Sequence, residues 1–378
     1  MKKTVLLTLA VAAVLPLGAQ EIVKGSIEGV PRQGSYHPTF KSDGAKKKPL
    51  NIILMIGDGT GLAQIASGYF ANNNQLTVMN LKHLGLVTTR SATDFTTDSA
   101  ASGTAYACGI KTYNYAVGVD LSKEPAPNIP EIVAAKGIVS GVVSTDALDG
   151  ATPASFFAHQ PNRGMANEIW ADLPGSCLSF FAAGDKERME SRPDSTQKAI
   201  RDVFTVVDRL DDPRAATASR LGYLPTKVEA GYIVDGRTDF LPVSARYAMD
   251  FLKSHSARKK GFFLMVEGAR IDKACHANQF ESMVKEMLDF DKAIAEAIKF
   301  ADEDGNTLVI ISADHETGGL TIAEGNPARG EAAGNYIYTW HSAIPVPLFA
   351  YGPHAQDFIG VQGNEEVGQK IIDLLTGK

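Results

Sequence analysis

The stretch Asn51-Ile-Ile-Leu-Met-Ile-Gly-Asp-Gly-Thr-Gly61 joins a short apolar run to a glycine-rich turn. The run leaves no polar residue for a solvent-facing side, which is typical of a strand that is buried on both faces. Asp58 follows within two residues of its end. We therefore predict a central strand of a parallel sheet that carries a carboxylate at its carboxyl end.

Similar apolar runs recur along the chain, at residues 84–88, 138–144, 262–266, 308–312 and 346–351. Amphipathic segments with helical spacing lie between them, most clearly over residues 277–300. This alternation predicts an α/β fold with a large, mostly parallel central sheet and helices on both faces. Residues 161–260 show scattered charges, prolines and weak periodicity, so we expect an irregular insertion or cap over the sheet.

Residues 1–20 have the order of a secretory signal peptide, with Lys2 and Lys3 before an apolar run and small residues after it. The apolar run has about 13 residues, fewer than the roughly 20 that span a bilayer, so a transmembrane anchor is the weaker alternative. Residues 21–48 are polar, and we expect a poorly ordered leader before a single domain at 49–378. These features predict an exported protein, periplasmic or secreted, without a membrane anchor.

The composition excludes several classes of protein. The chain has 378 residues, of which 44% are hydrophobic, so it can bury a large core and is not intrinsically disordered. Loss of the two signal-peptide lysines changes the formal net charge from −6 to −8. Such an acidic protein binds nucleic acid or anionic membranes poorly. Cys108, Cys177 and Cys275 are too few for a disulfide framework, and we interpret them as small buried apolar residues.

Acidic and imidazole side chains stand where the predicted strands end, which is where parallel α/β sheets bind ligands. They are Asp58, Glu267, Asp272, His276, Asp314, His315 and His341. Unpaired carboxylates gathered at one edge would repel one another. Divalent cations would stabilise the cluster, and mixed Asp and His ligands suit zinc.

Each of these residues also has an ordinary explanation by itself. Asp58 at a strand end is suited to capping a helix, and Asp272 and His276 can share a solvated helix face. The other histidines are assigned as satisfied core or surface groups: His37, His83, His159, His255 and His354. The ordinary explanations do not account for the convergence at successive strand ends.

A second cluster of candidate residues surrounds Ser99. The segment Thr97-Asp-Ser99-Ala-Ala-Ser102 predicts a closely packed helix with Ser99 near its N-terminus, where backbone N–H groups and the helix dipole favour phosphate. By itself the segment is equally an ordinary capped helix. A serine hydroxyl needs a base or a metal to become a good nucleophile, and no Gly-x-Ser-x-Gly elbow surrounds this one. Dinucleotide and Walker-type glycine motifs are absent, which disfavours a nucleotide cofactor.

Taken together, these residues make the sequence resemble the alkaline phosphatase family between about residues 50 and 353. The motifs that carry the resemblance are Ile56-Gly-Asp58-Gly, Thr97-Asp-Ser99-Ala-Ala-Ser102, Ala151-Thr152-Pro153 followed by Arg163, Val266-Glu267-Gly-Ala-Arg-Ile-Asp272-Lys-Ala-Cys-His276, Ala313-Asp314-His315-Glu-Thr-Gly-Gly, and Trp340-His341-Ser. They occur in the family's order, and jointly they are highly specific.

The resemblance implies hydrolysis of phosphate monoesters through a covalent phosphoserine on Ser99. It also implies two Zn²⁺ ions and one Mg²⁺ ion. One zinc would be held by Asp272, His276 and His341. The second would be held by Asp58, Asp314, His315 and Ser99. The third ion would be held by Asp58, Thr152 and Glu267. Arg163 would clamp the phosphate, and Lys273 would reach it through water.

The sequence departs from the family pattern at two places. Gly150 stands where the family often carries an acidic residue or histidine over the third metal, which leaves the identity of that ion open. Only 25 residues separate His315 from His341, so the dimer contacts made by a larger insertion in some family members are expected to be missing. A homodimer is one possible assembly.

Two rival hypotheses remain. A phosphodiesterase or sulfatase would share the fold, but no sulfatase Cys-x-Pro-x-Arg or Ser-x-Pro-x-Arg signature occurs. A phosphate- or metal-binding protein without catalysis would need the ligands but no nucleophile. Turnover of an aryl phosphate that a chelator abolishes distinguishes an enzyme from such a binding protein.

Overall fold

The computed structural model describes residues 22–184, 186–226, 231–257 and 260–377. The predicted signal peptide at 1–20 lies outside these residues. Among the described residues, no helix has both the length and the apolar character that crossing a membrane requires.

The β-strands of the described residues are short, with at most seven residues each. In chain order they are β1 (Val23–Ile27), β2 (Asn51–Gly57), β3 (His83–Thr88), β4 (Val139–Ser144), β5 (Leu178–Ala183), β6 (Thr205–Val207), β7 (Leu221–Tyr223), β8 (Phe262–Gly268), β9 (Thr307–Ser312), β10 (Glu316–Thr317), β11 (Thr321–Asn326), β12 (Glu331–Tyr336), β13 (His341–Ser342), β14 (Val346–Tyr351) and β15 (Gly360–Gly363).

The α-helices of the described residues are interspersed with these strands along the chain. They are α1 (Leu62–Ala71), α2 (Ser99–Cys108), α3 (Ile129–Ala134), α4 (Ala151–Ala154), α5 (Ala166–Asp172), α6 (Lys186–Glu190), α7 (Asp194–Val203), α8 (Phe240–His255), α9 (Arg270–His276), α10 (Phe280–Asp304) and α11 (Asn364–Thr376).

Ten strands form one large sheet in the order β15-β3-β14-β9-β2-β8-β4-β5-β7-β6. Strand β14 runs antiparallel to both of its neighbours, and the other pairs in this sheet are parallel. All six apolar runs identified in the sequence are strands of this sheet, and the long amphipathic segment is α10. The prediction of a mostly parallel α/β sheet is confirmed.

Helices cover both faces of this sheet. Along β2, Ile53 and Met55 belong to a core that includes buried residues of α1, α8 and α10. The alternate residues Ile52 and Leu54 belong to a second core with residues of α2, α3 and α11. Side chains of a strand point alternately to its two faces, so a strand covered on both sides is apolar throughout. The continuous run 51–56 has this physical origin.

The middle of the chain does not form the expected cap over the sheet. Within residues 161–260, β5, β6 and β7 extend one edge of the main sheet, and α8 packs against β4, β5 and α10. Strands β6 and β7 have three residues each, which is too short to produce a recognisable hydrophobic period. The weak pattern therefore came from short elements that lie within the fold.

The predicted leader is also ordered at its start. Strand β1 pairs with β12, which pairs with β11, and the three form a small separate sheet. The hairpin of β11 and β12 occupies most of the short connection between His315 and His341. The sequence VKGSI of β1 gives little strand signal because most of its side chains are exposed and Ile27 is buried in the core.

A buried ion cluster ties the segment before α8 to α10. The Arg237 guanidinium donates to Glu286 Oε2 at 2.5 Å and to Asp289 Oδ2 at 2.8 Å, and its side chain has no exposed surface. Burial raises the pKa of Asp289 to about 7, even though the charge of Arg237 acts in the opposite direction. The two carboxylates are therefore tolerated in the core only with this arginine present.

We expect Arg237→Ala to lower the free energy of unfolding by about 3–5 kcal/mol, because it leaves two buried carboxyl groups without their cation. Urea denaturation followed by circular dichroism measures the change. The matched control is Arg246→Ala, whose partially exposed guanidinium pairs with Asp250 and Glu303. The control should cost less than about 1 kcal/mol. Equal losses in the two variants would contradict this assignment.

Candidate metal centre

Three acidic residues meet where neighbouring strands of the main sheet end. Strand β2 lies between β8 and β9, and Asp58 follows its last residue. Glu267 lies in β8 beside Ile56, and Asp314 comes two residues after β9. Because these strands are parallel, their carboxyl ends share one edge of the sheet, and the three carboxylates are buried there.

His341 reaches the same edge from an antiparallel element. It precedes β14, and the start of an antiparallel strand lies beside the ends of its parallel neighbours. The two-residue strand β13 pairs with β10, so that His341 is opposite Thr317. This pairing stacks the His341 ring on His315, with 3.4 Å between the ring centroids.

Helix α9 supplies Asp272 and His276, which form a first ligand group with His341. Asp272 and His276 are four residues apart, and His276 Nε2 lies 3.2 Å from Asp272 Oδ2. His276 Nε2 also lies 3.1 Å from His341 Nε2. Asp272, His276 and His341 each have a ligand atom within 4.8 Å of the others. This spacing suits a single metal ion.

A second group of the same kind consists of Asp58, Asp314 and His315, whose ligand atoms also lie within 4.8 Å of one another. His315 Nε2 is 3.1 Å from Asp314 Oδ2 and 3.5 Å from Asp58 Oδ1. Gly59 allows the two groups to lie side by side. It has a φ of +70°, and a Cβ at this position would stand 2.8 Å from the Cα of Asp272.

Each of the three histidines is oriented by an oxygen on its Nδ1 side. His341 Nδ1 lies 2.9 Å from the Thr97 carbonyl oxygen, and His276 Nδ1 lies 2.7 Å from that of Thr339. His315 Nδ1 lies 3.2 Å from the Thr317 hydroxyl. A carbonyl oxygen can only accept a hydrogen bond, so neutral His276 and His341 carry their proton on Nδ1 and direct the Nε2 lone pair toward the ligand groups. The rings are arranged as in metal sites.

A third group of oxygen atoms borders Asp58. Thr152 lies in α4, and its nearby hydroxyl acts to lower the pKa of Glu267 without forming a hydrogen bond in the structure. Ser144, at the end of β4, donates a hydrogen bond to Glu267 Oε2. Among the described residues, the buried oxygens Asp58 Oδ1, Asp314 Oδ2 and Thr152 Oγ1 have no hydrogen-bond donor. Unsatisfied buried oxygens are costly, and cations would satisfy them, so these residues fit metal ions.

The electrostatics of the pocket agree with that conclusion. Burial and the charges of Asp314 and Asp272 raise the pKa of Asp58 well above its usual range. Burial and the charge of Asp146 raise the pKa of Glu267 to about 8. Burial also acts to raise the pKa of Asp314, but the charge and hydrogen bond of His315, the Gly59 N–H and the charge of His341 together lower that pKa. Without cations, these carboxyl groups cannot all be ionised at neutral pH.

Ser99 begins α2 beside the second group of ligands. It is buried, and its Oγ lies 3.2 Å from His315 Nε2. Asp98 caps the helix by accepting the Ala101 N–H, and its other oxygen accepts a hydrogen bond from Arg163 Nη1 at 3.1 Å. Arg163 therefore stands next to the nucleophile candidate, with about a third of its side chain exposed.

Lys273 lies on the third group's side of the pocket and forms an ion pair with Asp146. Burial acts to raise the pKa of Asp146, but the charge and hydrogen bond of Lys273, together with the charge of Arg270, lower that pKa. Asp146 follows β4 by two residues. The structure thus brings together every site residue that the sequence predicted.

The three cysteines and the other five histidines lie outside these ligand groups. The three cysteines are free; Cys108 and Cys275 are buried and Cys177 is partly buried. The Cys275 thiol lies 3.8 Å from Gln64 Nε2, and burial raises its pKa. The five histidines that were assigned ordinary roles belong to neither metal group among the described residues.

Sequence reasoning assigned no role to four residues that orient the site. Asp98 holds Arg163, and Ser144 holds Glu267. The Thr317 hydroxyl donates to Asp272 Oδ1 at 2.5 Å and contacts His315, so it links the two metal groups. Asp146 holds Lys273. Asp98 and Thr317 lie inside the family motifs, but Ser144 and Asp146 carried no signal in the sequence.

Comparisons with known proteins agree with this geometry. A family model described as alkaline phosphatase matches residues 49–188 and 238–339. The alkaline phosphatase of Escherichia coli K12 is 30% identical over 398 residues, with 84% of each chain covered. Alkaline phosphatase 4 of Bacillus subtilis 168 is 33% identical, with 90% of this chain and 75% of the relative covered.

A solved structure gives the same result. The alkaline phosphatase from the Antarctic bacterium TAB5 superposes with a TM-score of 0.81 at 39% identity, covering 87% of this chain and 98% of the other. The chain thus belongs to the alkaline phosphatase family, enzymes that hydrolyse phosphate monoesters.

Proposed function

We propose that this chain is an exported, metal-dependent phosphomonoesterase that works through a covalent phosphoserine on Ser99. The observation that carries the proposal is the position of Ser99 Oγ, which lies beside His315 at the second ligand group and next to Arg163 across Asp98. The substrates would be small phosphate monoesters, and no nucleic acid or membrane anchor is required.

The ligand groups would hold two Zn²⁺ ions and one Mg²⁺ ion. Asp272, His276 and His341 offer one site, and Asp58, Asp314, His315 and Ser99 offer the second. The oxygen-only set of Asp58, Thr152 and Glu267 suits Mg²⁺. When bound, the two zinc ions would supply stabilisation of the attacking and leaving oxygens of an in-line displacement. A TAB5 alkaline phosphatase variant with 37% identity to this chain holds Mg in a site called M3, which supports the third ion.

The residues of the chain would bind and orient the phosphate. Arg163 presents a planar fork of N–H donors that matches two non-bridging oxygens, and Asp98 fixes its orientation. The first turn of α2 adds unpaired backbone N–H groups and the positive end of the helix dipole. Both place positive charge where the phosphoryl group carries negative charge.

The reaction would then take place in two displacements at phosphorus. Ser99 Oγ forms a bond to phosphorus as the ester P–O bond breaks, and the alcohol leaves with a proton. Water next attacks the phosphoseryl group, the Ser99 O–P bond breaks, and inorganic phosphate is released. Ser99 recovers its proton at the end of the cycle, so the enzyme is unchanged.

Export and assembly are two further properties of the proposed enzyme. The order of charges and apolar residues at 1–20 supports a signal peptide and hence a periplasmic or secreted enzyme. We keep a homodimer as the expected assembly class. Only 25 residues separate His315 from His341, so a homodimer would need contacts other than those of a large insertion at this position.

Ser99→Ala should reduce kcat/KM for an aryl phosphate by at least about 10³-fold, because it removes the nucleophile. Acid quenching of the enzyme with phosphate, followed by peptide mass spectrometry, should find phosphate on Ser99 of the parent protein and none on the variant. Ser191→Ala, at an exposed serine, is the control and should retain both signals. Full activity of Ser99→Ala would refute the proposal.

Arg163→Ala should lower kcat/KM by about 100-fold, the effect of losing charge-assisted hydrogen bonds to phosphate. Arg163→Lys should recover only part of this loss because an ammonium lacks the two-pronged geometry. Steady-state kinetics with a monoester measures both, and zinc content should not change. The control is Arg214→Ala, whose exposed side chain pairs with Asp212. A complete recovery in Arg163→Lys would exclude a two-pronged clamp.

The chelated protein should lose stability as the pH rises from about 5 to about 8. Folded Glu267 has a pKa of about 8, above its usual value of 4.5, so in this window the unfolded chain binds fewer protons than the folded one. The free energy of unfolding therefore falls with increasing pH. Chelated Glu267→Gln should lose less stability over the same range in thermal denaturation. Equal pH dependence of the two proteins would contradict the assignment.

A further inference from the structure

Position 150 has no side chain, and the carboxylate of Asp146 occupies the space where one would be. A Cβ built on Gly150 would stand 2.7 Å from Asp146 Oδ2 and 3.1 Å from Asp146 Cγ. The φ of Gly150 is −58°, which any residue can adopt, so the backbone conformation does not demand glycine. The Asp146 carboxylate fills this space, and the Ala147 carbonyl oxygen, 2.9 Å from the same Cβ, also limits it.

Asp146 is connected to the third group of oxygen atoms by hydrogen bonds. Its backbone N–H donates to Ser144 Oγ at 2.8 Å, and the same hydroxyl donates to Glu267 Oε2. Its own carbonyl accepts the Gly184 N–H at 2.8 Å. The turn after β4 is thus held to β8 and β5, the Asp146 carboxylate is held by Lys273, and its charge acts on Glu267.

The Asp146 carboxylate forms a direct ion pair with the ammonium group of Lys273. Lys273 belongs to α9, between the ligands Asp272 and His276. The Asp146–Lys273 pair is partly buried, with side-chain exposures of 23% and 35%. Without Asp146, a positive charge would stand uncompensated near Glu267 and would oppose a bound divalent cation.

We propose that Asp146 performs, from four residues earlier in the chain, the role of the side chain that is missing at Gly150. It is a positioning residue that holds Lys273 and supplies negative charge and acceptor oxygens next to Glu267 for a hydrated Mg²⁺ ion. Magnesium retains several water molecules when it binds proteins, and such water needs nearby acceptors. This inference depends on the third ion of the proposed function.

The test measures Mg²⁺ binding directly. Isothermal titration calorimetry of the zinc-loaded protein with MgCl₂ should show that Asp146→Asn, which keeps the shape and removes the charge, weakens Mg²⁺ binding by at least about 10-fold. Zinc content and melting temperature should remain those of the parent protein. Asp208→Asn is the matched control because Asp208 also pairs with a lysine, Lys186, at 3.0 Å on the surface. It should leave Mg²⁺ affinity unchanged.

A position swap provides a second arm. Asp146→Ala should weaken Mg²⁺ binding, and adding Gly150→Asp to that variant should restore part of it, because the Asp146 carboxylate no longer fills the space at position 150. A shift of a few tenths of an ångström is needed, since the new Cβ would stand 2.9 Å from the Ala147 carbonyl oxygen. Gly150→Asp alone should lower the melting temperature because both carboxylates compete for one space.

The outcomes separate this inference from the proposed function. Parent-like Mg²⁺ affinity in Asp146→Asn, or an equal loss in Asp208→Asn, would overturn the role of Asp146. A folded swap variant without any recovery would count against it as well. A parent protein that turns over monoesters but binds no Mg²⁺ would overturn it together with the third ion. A parent protein without turnover would instead contradict the phosphatase itself.

Discussion

The structure depends on one electrostatic constraint, the gathering of several carboxylates at a buried edge of the sheet. Parallel strands β8, β2 and β9 end together, and Glu267, Asp58 and Asp314 are consequently forced into one pocket. Burial raises the free energy of their charged forms, and their mutual repulsion adds to it. Asp58 and Asp314 each have a buried carboxylate oxygen without a hydrogen-bond partner, and bound cations would compensate these charges. The fold and the metal chemistry are therefore two aspects of the same arrangement.

The surrounding residues hold the ligands in place through backbone atoms and hydroxyl groups. The carbonyl of Thr97 orients His341 and stands only two residues before Ser99, so the first ligand group is connected to the start of α2. Thr317 contacts both Asp272 and His315. A small displacement of one ligand group would consequently shift the other ligand group and Ser99. Rigid elements on both sides of the site favour a preorganised pocket.

The sequence predicted the central strands well and supplied candidate ligands because each left a local signal. The run 51–56 is apolar on both faces, and Asp58, Glu267 and Asp314 follow such runs. The peripheral elements left none. Strands β6 and β7 are too short for a period, and β1 is polar because it pairs at the rim. For this reason the irregular cap expected over residues 161–260 is partly an extension of the main sheet, and the leader, expected to be poorly ordered, contains the paired strand β1.

By itself, the sequence determined the fold class and supplied the candidate ligands and the candidate nucleophile, since buried strands and metal-binding side chains are chemically distinctive wherever they occur. Only the tertiary structure decided how these residues are supported. Asp146 and Lys273 are 127 positions apart, and Ser144 and Glu267 are 123 apart. A carboxylate at position 146 looks like any surface aspartate until the packing shows it in the space left by Gly150. Whether Asp146 can fill the space beside Gly150 depends on how the chain segments pack, and no local sequence pattern contains that information.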